Sequence, residues 1–70
     1  MMEQIFKKRL HDEIKQSGIT TVELAKAVGI TPEMITQYYT TEKLPRLDTF
    51  FKLCKALDVS ADYLLGLSDI

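Results

Sequence analysis

The chain is most tightly constrained by two helix-start signals that lie close together with a glycine between them. Thr20 followed by Glu23 fits a capping box, in which the threonine hydroxyl and the glutamate carboxylate each satisfy a backbone N–H of the other at a helix start. Leu24, Ala25 and Val28 then face one side, predicting a helix of about two turns. Gly29 stands where a left-handed C-terminal cap belongs, and Ile30 can fold back onto the helix end. Thr31-Pro32-Glu33 repeats the punctuation: a threonine cap, a proline where a missing N–H costs nothing, and an acid against the helix dipole. The chain must therefore turn sharply between two short helices.

The flanking segments are also helical in pattern. Met2, Phe6, Leu10 and Ile14 recur at four-residue spacing with Ile5 beside them, and Gly18 ends that series. After Pro32, the residues Ile35, Tyr38 and Tyr39 give an inner face and leave Glu33, Thr36, Gln37 and Thr40 turned outward. Thr41 to Pro45 reads as a loop, because Leu44 precedes proline and is pushed out of the helical region. Leu47, Phe50, Phe51, Cys54 and Leu57 predict the inner face of a fourth helix, with Asp48 near its start. Asp58-Val59-Ser60 breaks it, and Ser60 caps a last short helix holding Leu64 and Leu65. No strand alternation, glycine-rich phosphate loop or internal repeat is present. The expected architecture is all-α: one compact five-helix domain over residues 1–70, with crossings steeper than those of a long bundle.

Composition bounds what such a domain does. At 70 residues and 8.0 kDa it buries only about 60% of its unfolded surface, which excludes a large enzyme. The longest uncharged apolar stretch, near Tyr63 to Leu67, falls far short of the roughly 20 residues that span a bilayer. Met1-Met2-Glu3-Gln4 puts an acid where a signal peptide carries positive charge, so a cytoplasmic location is expected. One cysteine, Cys54, and one histidine, His11, are too few soft ligands for a structural zinc site. Neither metal nor cofactor is expected, nor a small-molecule ligand, since a core this small is consumed in holding the fold together. His11, Asp12 and Glu13 splay apart on a helix with no nucleophile to serve, so no catalytic residues are assigned. A net charge of -1 and a pI near 5.7 argue against a polybasic coat and leave only local positive clusters, Lys7-Lys8-Arg9 and Lys43 with Arg46.

Two short helices joined by a tight turn, here Gly29-Ile30-Thr31, are the layout of a helix-turn-helix, whose second helix enters the major groove of DNA. The sequence resembles the helix-turn-helix DNA-binding proteins of the Xre and phage lambda repressor/Cro type over nearly its whole length. The resemblance is carried by Ile19-Thr20, Glu23-Leu24-Ala25, Val28-Gly29-Ile30-Thr31, Ile35, Pro45, Leu47, Leu53, Lys55-Ala56-Leu57, Val59-Ser60 and Asp62-Tyr63-Leu64-Leu65-Gly66. It implies that Thr20 and Thr21 meet phosphate at a helix N-terminus, and that Glu33, Thr36, Gln37 and Thr40 face base edges. Gln37 matches a position suited to paired hydrogen bonds with adenine, Glu33 to accepting from cytosine N4, and Thr36 and Thr40 to thymine methyls or phosphate. Lys43 and Arg46 match positions that clamp the DNA backbone. The chain departs from the pattern at Pro32 and Glu33, at Thr41 in place of a glycine, and at Arg46 in place of a serine cap. It also departs at Ile14 and Tyr39, where relatives carry an arginine and a glutamate.

The function implied is a sequence-specific double-stranded-DNA-binding transcriptional regulator of bacterial or phage type, a repressor acting as a homodimer on a two-fold operator. Leu64, Leu65, Leu67 and Ile70 near a polar C-terminus are the motive for the dimer. The alternative is a protein-interaction module of the same fold, an antirepressor or antitoxin, motivated by the acidic balance and by Pro32 and Glu33. Tyr38 and Tyr39 read as core residues with Tyr38 the nearer to a DNA contact, Lys7-Lys8-Arg9 as a solvated helix face, and Cys54 as a small core residue.

Overall fold

The computed structural model describes residues 2–70; Met1, and with it the first residue of the N-terminal reading above, lies outside the described residues. Five helices follow in order: α1 (Met2–Ser17), α2 (Thr21–Val28), α3 (Pro32–Thr40), α4 (Leu47–Leu57) and α5 (Ala61–Leu65). Each break has a local cause. Gly18 leaves α1 at φ 74°, and Asp58 and Gly66 end α4 and α5 in the left-handed region. Ser60 caps α5 by accepting the Tyr63 N–H at 3.1 Å.

α1 is the post around which the rest is arranged, packing against α3, α4 and α5, while α2 packs on α3 and α4. Phe6, Leu10 and Ile14 of α1 meet Leu24, Ala25, Val28, Ile35, Tyr38, Phe50, Leu53, Leu57 and Leu64 in one buried cluster. Phe6 and Phe50 meet edge to face, with ring centroids 5.9 Å apart. Each large side chain fully buried here contributes about 1.5–3 kcal/mol, so apolar burial holds α1 against its neighbours.

Four expectations need correction. In α4 the inner face is Phe50, Leu53 and Leu57, whereas Leu47 is 83% and Phe51 62% exposed. Neighbouring helix positions diverge by about 100°, so once Phe50 points inward Phe51 cannot, and Leu47 opens the helix beyond the reach of the core. The exposed Phe51 ring carries the Lys55 ammonium 5.9 Å from its centre.

Both tyrosines pack on the core as read, but Tyr38 is the deeper of the two. Tyr38 is buried, with its hydroxyl raised in pKa chiefly by that burial, which removes it as a DNA contact. Tyr39 is half-buried and stacks its ring on His11 at 4.5 Å, nearly parallel. An aromatic pair thus joins α1 to α3 at Tyr39, one of the positions where the chain departs from the family pattern.

Arg9 leaves the solvated run expected of Lys7-Lys8-Arg9. Its guanidinium donates to the carbonyls of Tyr63 at 2.6 Å and Ser68 at 2.7 Å, while Lys8 stays at the surface, paired with Asp12. Leu64 lies in the core and Leu65 is half-buried. Of the C-terminal apolar residues only Leu67 and Ile70 remain available to a partner.

Candidate nucleic-acid interface

The helix pair α2 and α3 is set by its caps. Thr20 Oγ1 accepts the Glu23 N–H at 3.0 Å, and Glu23 Oε1 accepts the Thr20 N–H at 3.0 Å, completing the capping box. Bonding to the Thr20 N–H, and next to its hydroxyl, holds the Glu23 carboxyl below its usual pKa. At such a helix start the amides of Thr21 and Val22 have no intrahelical acceptor. The Thr20 amide and hydroxyl are both engaged with Glu23, so the Thr21 and Val22 amides are the ones the helix leaves without an internal partner.

The turn is closed by two amides converging on one carbonyl: Gly29 and Ile30 donate to Ala25 O at 2.8 and 3.0 Å. Gly29 holds φ 86° and ψ 30°, and a Cβ placed on it would meet no atom within 4 Å. Glycine is required here by backbone conformation alone. Thr31 then caps α3, accepting the Met34 N–H at 3.2 Å, with Pro32 in the first turn.

Ile35 and Tyr38 anchor α3 to the core, which leaves Glu33, Thr36, Gln37 and Thr40 exposed along the opposite edge. Thr36 Oγ1 donates to Pro32 O at 3.3 Å and Thr40 Oγ1 to Thr36 O at 2.8 Å. With their protons spent on the backbone, both threonines offer a methyl group and an acceptor oxygen to whatever approaches. Gln37 Oε1 accepts from Lys43 Nζ at 3.4 Å.

An open concavity between the start of α2 and α3 is lined by Thr21, Pro32, Glu33, Thr36 and Gln37. The fold thus brings Thr21 together with three of the four expected base-facing residues. Thr40 continues the same edge one turn on, and Lys43 joins it through Gln37. Arg46 stands apart from them at the start of α4, where it supplies no side-chain cap and pairs with Asp48 at 3.5 Å. Both partners are well exposed, and such a pair is weak enough to give way to a phosphate. Sequence reasoning missed the role of Thr41, whose hydroxyl donates to Gln37 O at 2.7 Å and accepts the Lys43 N–H at 3.2 Å. A hydroxyl four residues after Gln37 was the available signal.

Two short helices meeting at a glycine turn, the first started by a capping box and the second exposing a continuous polar edge, define a helix-turn-helix. The chain belongs to the helix-turn-helix family, whose model matches residues 10–64, in agreement with the resemblance carried by Ile19 through Gly66. It is 38% identical over 61 residues to an uncharacterized HTH-type transcriptional regulator, YobD, of Bacillus subtilis strain 168, covering 87% of this chain and 54% of that protein. It is 33% identical over 63 residues to the HTH-type transcriptional regulator ImmR of the same strain, covering 90% and 50%. The chain therefore spans about half the length of these curated relatives. The solution structure of the SOS-response transcriptional repressor LexA from Eubacterium rectale superposes with a TM-score of 0.83 at 23% identity, over 91% of this chain and 68% of that one. That likeness establishes the all-helical fold.

Among the described residues no helix is long and apolar enough to cross a membrane, and no group of three or more His, Cys, Asp and Glu side chains is placed to hold a metal ion. Cys54 is half-buried, and burial raises its thiol pKa.

Proposed function

We propose that this chain is the double-stranded-DNA-binding part of a transcriptional regulator, with α3 laid in the major groove. The observation that carries the proposal is the uninterrupted exposed edge Glu33–Thr36–Gln37–Thr40 on the second helix of a helix-turn-helix. In this reading Thr20 and Thr21 hold one phosphate at the start of α2, where free amides and the positive end of the helix dipole favour an anion. Arg46 reaches the DNA backbone beyond the other end of α3, while the Lys43 ammonium is held on the Gln37 side chain. Glu33 accepts from a cytosine N4, and the methyls of Thr36 and Thr40 meet thymine methyls.

The relatives named as transcriptional regulators support a regulatory role, and repression by occupying a promoter is the simplest outcome of such binding. A homodimer on a two-fold operator completes the proposal, with Leu67 and Ile70 as the exposed apolar residues at the C-terminal end. The site of action is the cytoplasm, where the chromosome of a bacterium lies, and the chemistry is binding rather than catalysis.

Selection from a random duplex pool at two salt concentrations tests this. Enrichment of a related set of sequences is expected, with log K falling by about 0.9 per contacted phosphate for each unit of log salt. The exposed Leu47 and Phe51 on α4 favour a second reading, a protein-interaction module of the same fold. A pool that yields no enriched sequence, with no salt-dependent duplex binding, would select that reading instead.

A further inference from the structure

The turn after α3 is built as a ring of hydrogen bonds through three exposed residues. Thr41 leaves the helix in extended backbone, φ -125° and ψ -178°, and both its N–H, at 3.0 Å, and its hydroxyl, at 2.7 Å, donate to the main-chain carbonyl of Gln37. The same hydroxyl oxygen accepts the Lys43 N–H at 3.2 Å. That contact fixes the start of the lysine so that its ammonium returns over α3 and donates to Gln37 Oε1 at 3.4 Å. Gln37 is thus held at its backbone by Thr41 and at its side chain by Lys43.

The ring changes what Gln37 shows to DNA. A free glutamine offers an acceptor and a donor side by side, the complement of adenine's N6–H₂ and N7. With a cation on Oε1, the outward groups of the pair are the Gln37 amide N–H and the remaining N–H groups of Lys43, which are all donors. Guanine presents two acceptors in the major groove, O6 and N7, whereas adenine would turn its N6–H₂ donor toward the ammonium. We propose that Gln37 and Lys43 form one reading unit for guanine, with Thr41 as the positioning residue that preorganises it. This rests on the reading of α3 as the base-reading helix and assigns that helix a base.

The test is selection from a random duplex pool with the full chain and with Gln37→Ala, Lys43→Met and Thr41→Val, each checked for unchanged helix content by circular dichroism. Gln37→Ala locates the base pair by losing preference there. At that pair the unaltered chain is expected to enrich guanine over adenine about tenfold, within the range of a good paired contact. Lys43→Met is expected to invert that preference toward adenine, and Thr41→Val to lower it severalfold without inverting it. Enrichment of adenine by the unaltered chain, or a Lys43→Met variant that weakens all sequences by one factor with its preference intact, overturns the guanine assignment alone. A Gln37→Ala variant that changes preference at no position overturns the underlying reading of α3, and the assignment with it.

Discussion

The guanidinium of Arg9 lies 4.4 Å from the centre of the Tyr63 ring and donates to the Tyr63 carbonyl at 2.6 Å. One side chain of α1 thereby covers an aromatic face and closes the end of α5, and a second N–H···O bond to Ser68 holds the segment beyond it. Charge-assisted hydrogen bonds to partly buried carbonyls are worth about 1.5–3 kcal/mol each when they hold well. Arg9→Ala is therefore expected to lower stability by about 2–3 kcal/mol in urea denaturation, and Arg9→Lys to recover only part of it, because an ammonium cannot match the planar fork. A loss for Arg9→Ala no greater than that of a surface lysine such as Lys15 would contradict the clamp.

Two glycines share the left-handed backbone but not the same surroundings. A Cβ on Gly29 meets nothing within 4 Å, while one on Gly66 comes within 3.0 Å of the Ile5 side chain. Gly29→Ala should cost only the backbone strain of about 1–2 kcal/mol. Gly66→Ala should cost more, because Ile5 must also move. Equal losses for the two in denaturation would show that the Ile5 contact is without consequence.

The capping box makes α2 sensitive to acid. Bonding to Thr20 depresses the Glu23 pKa, so its contribution is present above the ordinary glutamate range and is lost as pH falls through the depressed folded value. Glu23→Gln should flatten that part of the stability profile, measured as thermal midpoints from neutral pH downward. Thr20→Ala removes the other half of the box and should cost about 1 kcal/mol at neutral pH.

Arg46 occupies the N-cap of α4 without capping it. Serine there would bond the exposed amides, so Arg46→Ser is expected to raise stability by about 0.5–1 kcal/mol. The same change should weaken binding to all duplex sequences alike and flatten the salt slope by about one. A variant that gains stability with unchanged DNA affinity would remove Arg46 from the backbone clamp.

What could be read from the sequence was what local chemistry decides. The caps at Thr20, Thr31 and Ser60 and the left-handed turn at Gly29 depend on residues within a few positions of one another, and all four form as expected. The inner face of α4 was harder, because Leu47 and Phe51 fall at helical spacing as convincingly as Phe50 and Leu57. Which stripe turns inward is decided by α2 and α1, the helices packed against α4. Arg9 looked like its neighbours Lys7 and Lys8 because its acceptors lie 54 and 59 residues away. Tyr38 and Tyr39 straddle the boundary of the buried face, where one residue of rotation reverses the assignment.

The outward edge of α3 was legible because the remaining positions of a short helix are fixed once Ile35 points inward. The ring through Thr41 and Lys43 was not, because a threonine after a helix reads first as a lost glycine. Its partners become visible only when the turn is in place.

The claim on which the rest depends is that duplex DNA lies along the start of α2 and the outer edge of α3. Titrating a selected duplex into the ¹⁵N-labelled chain and following backbone amide shifts measures this residue by residue. The largest shifts are expected at Thr20, Thr21, Glu33, Thr36, Gln37, Thr40 and Lys43, with Leu47 and Phe51 of α4 nearly unmoved. Shifts centred on Leu47 and Phe51 with the α3 edge silent would contradict the account.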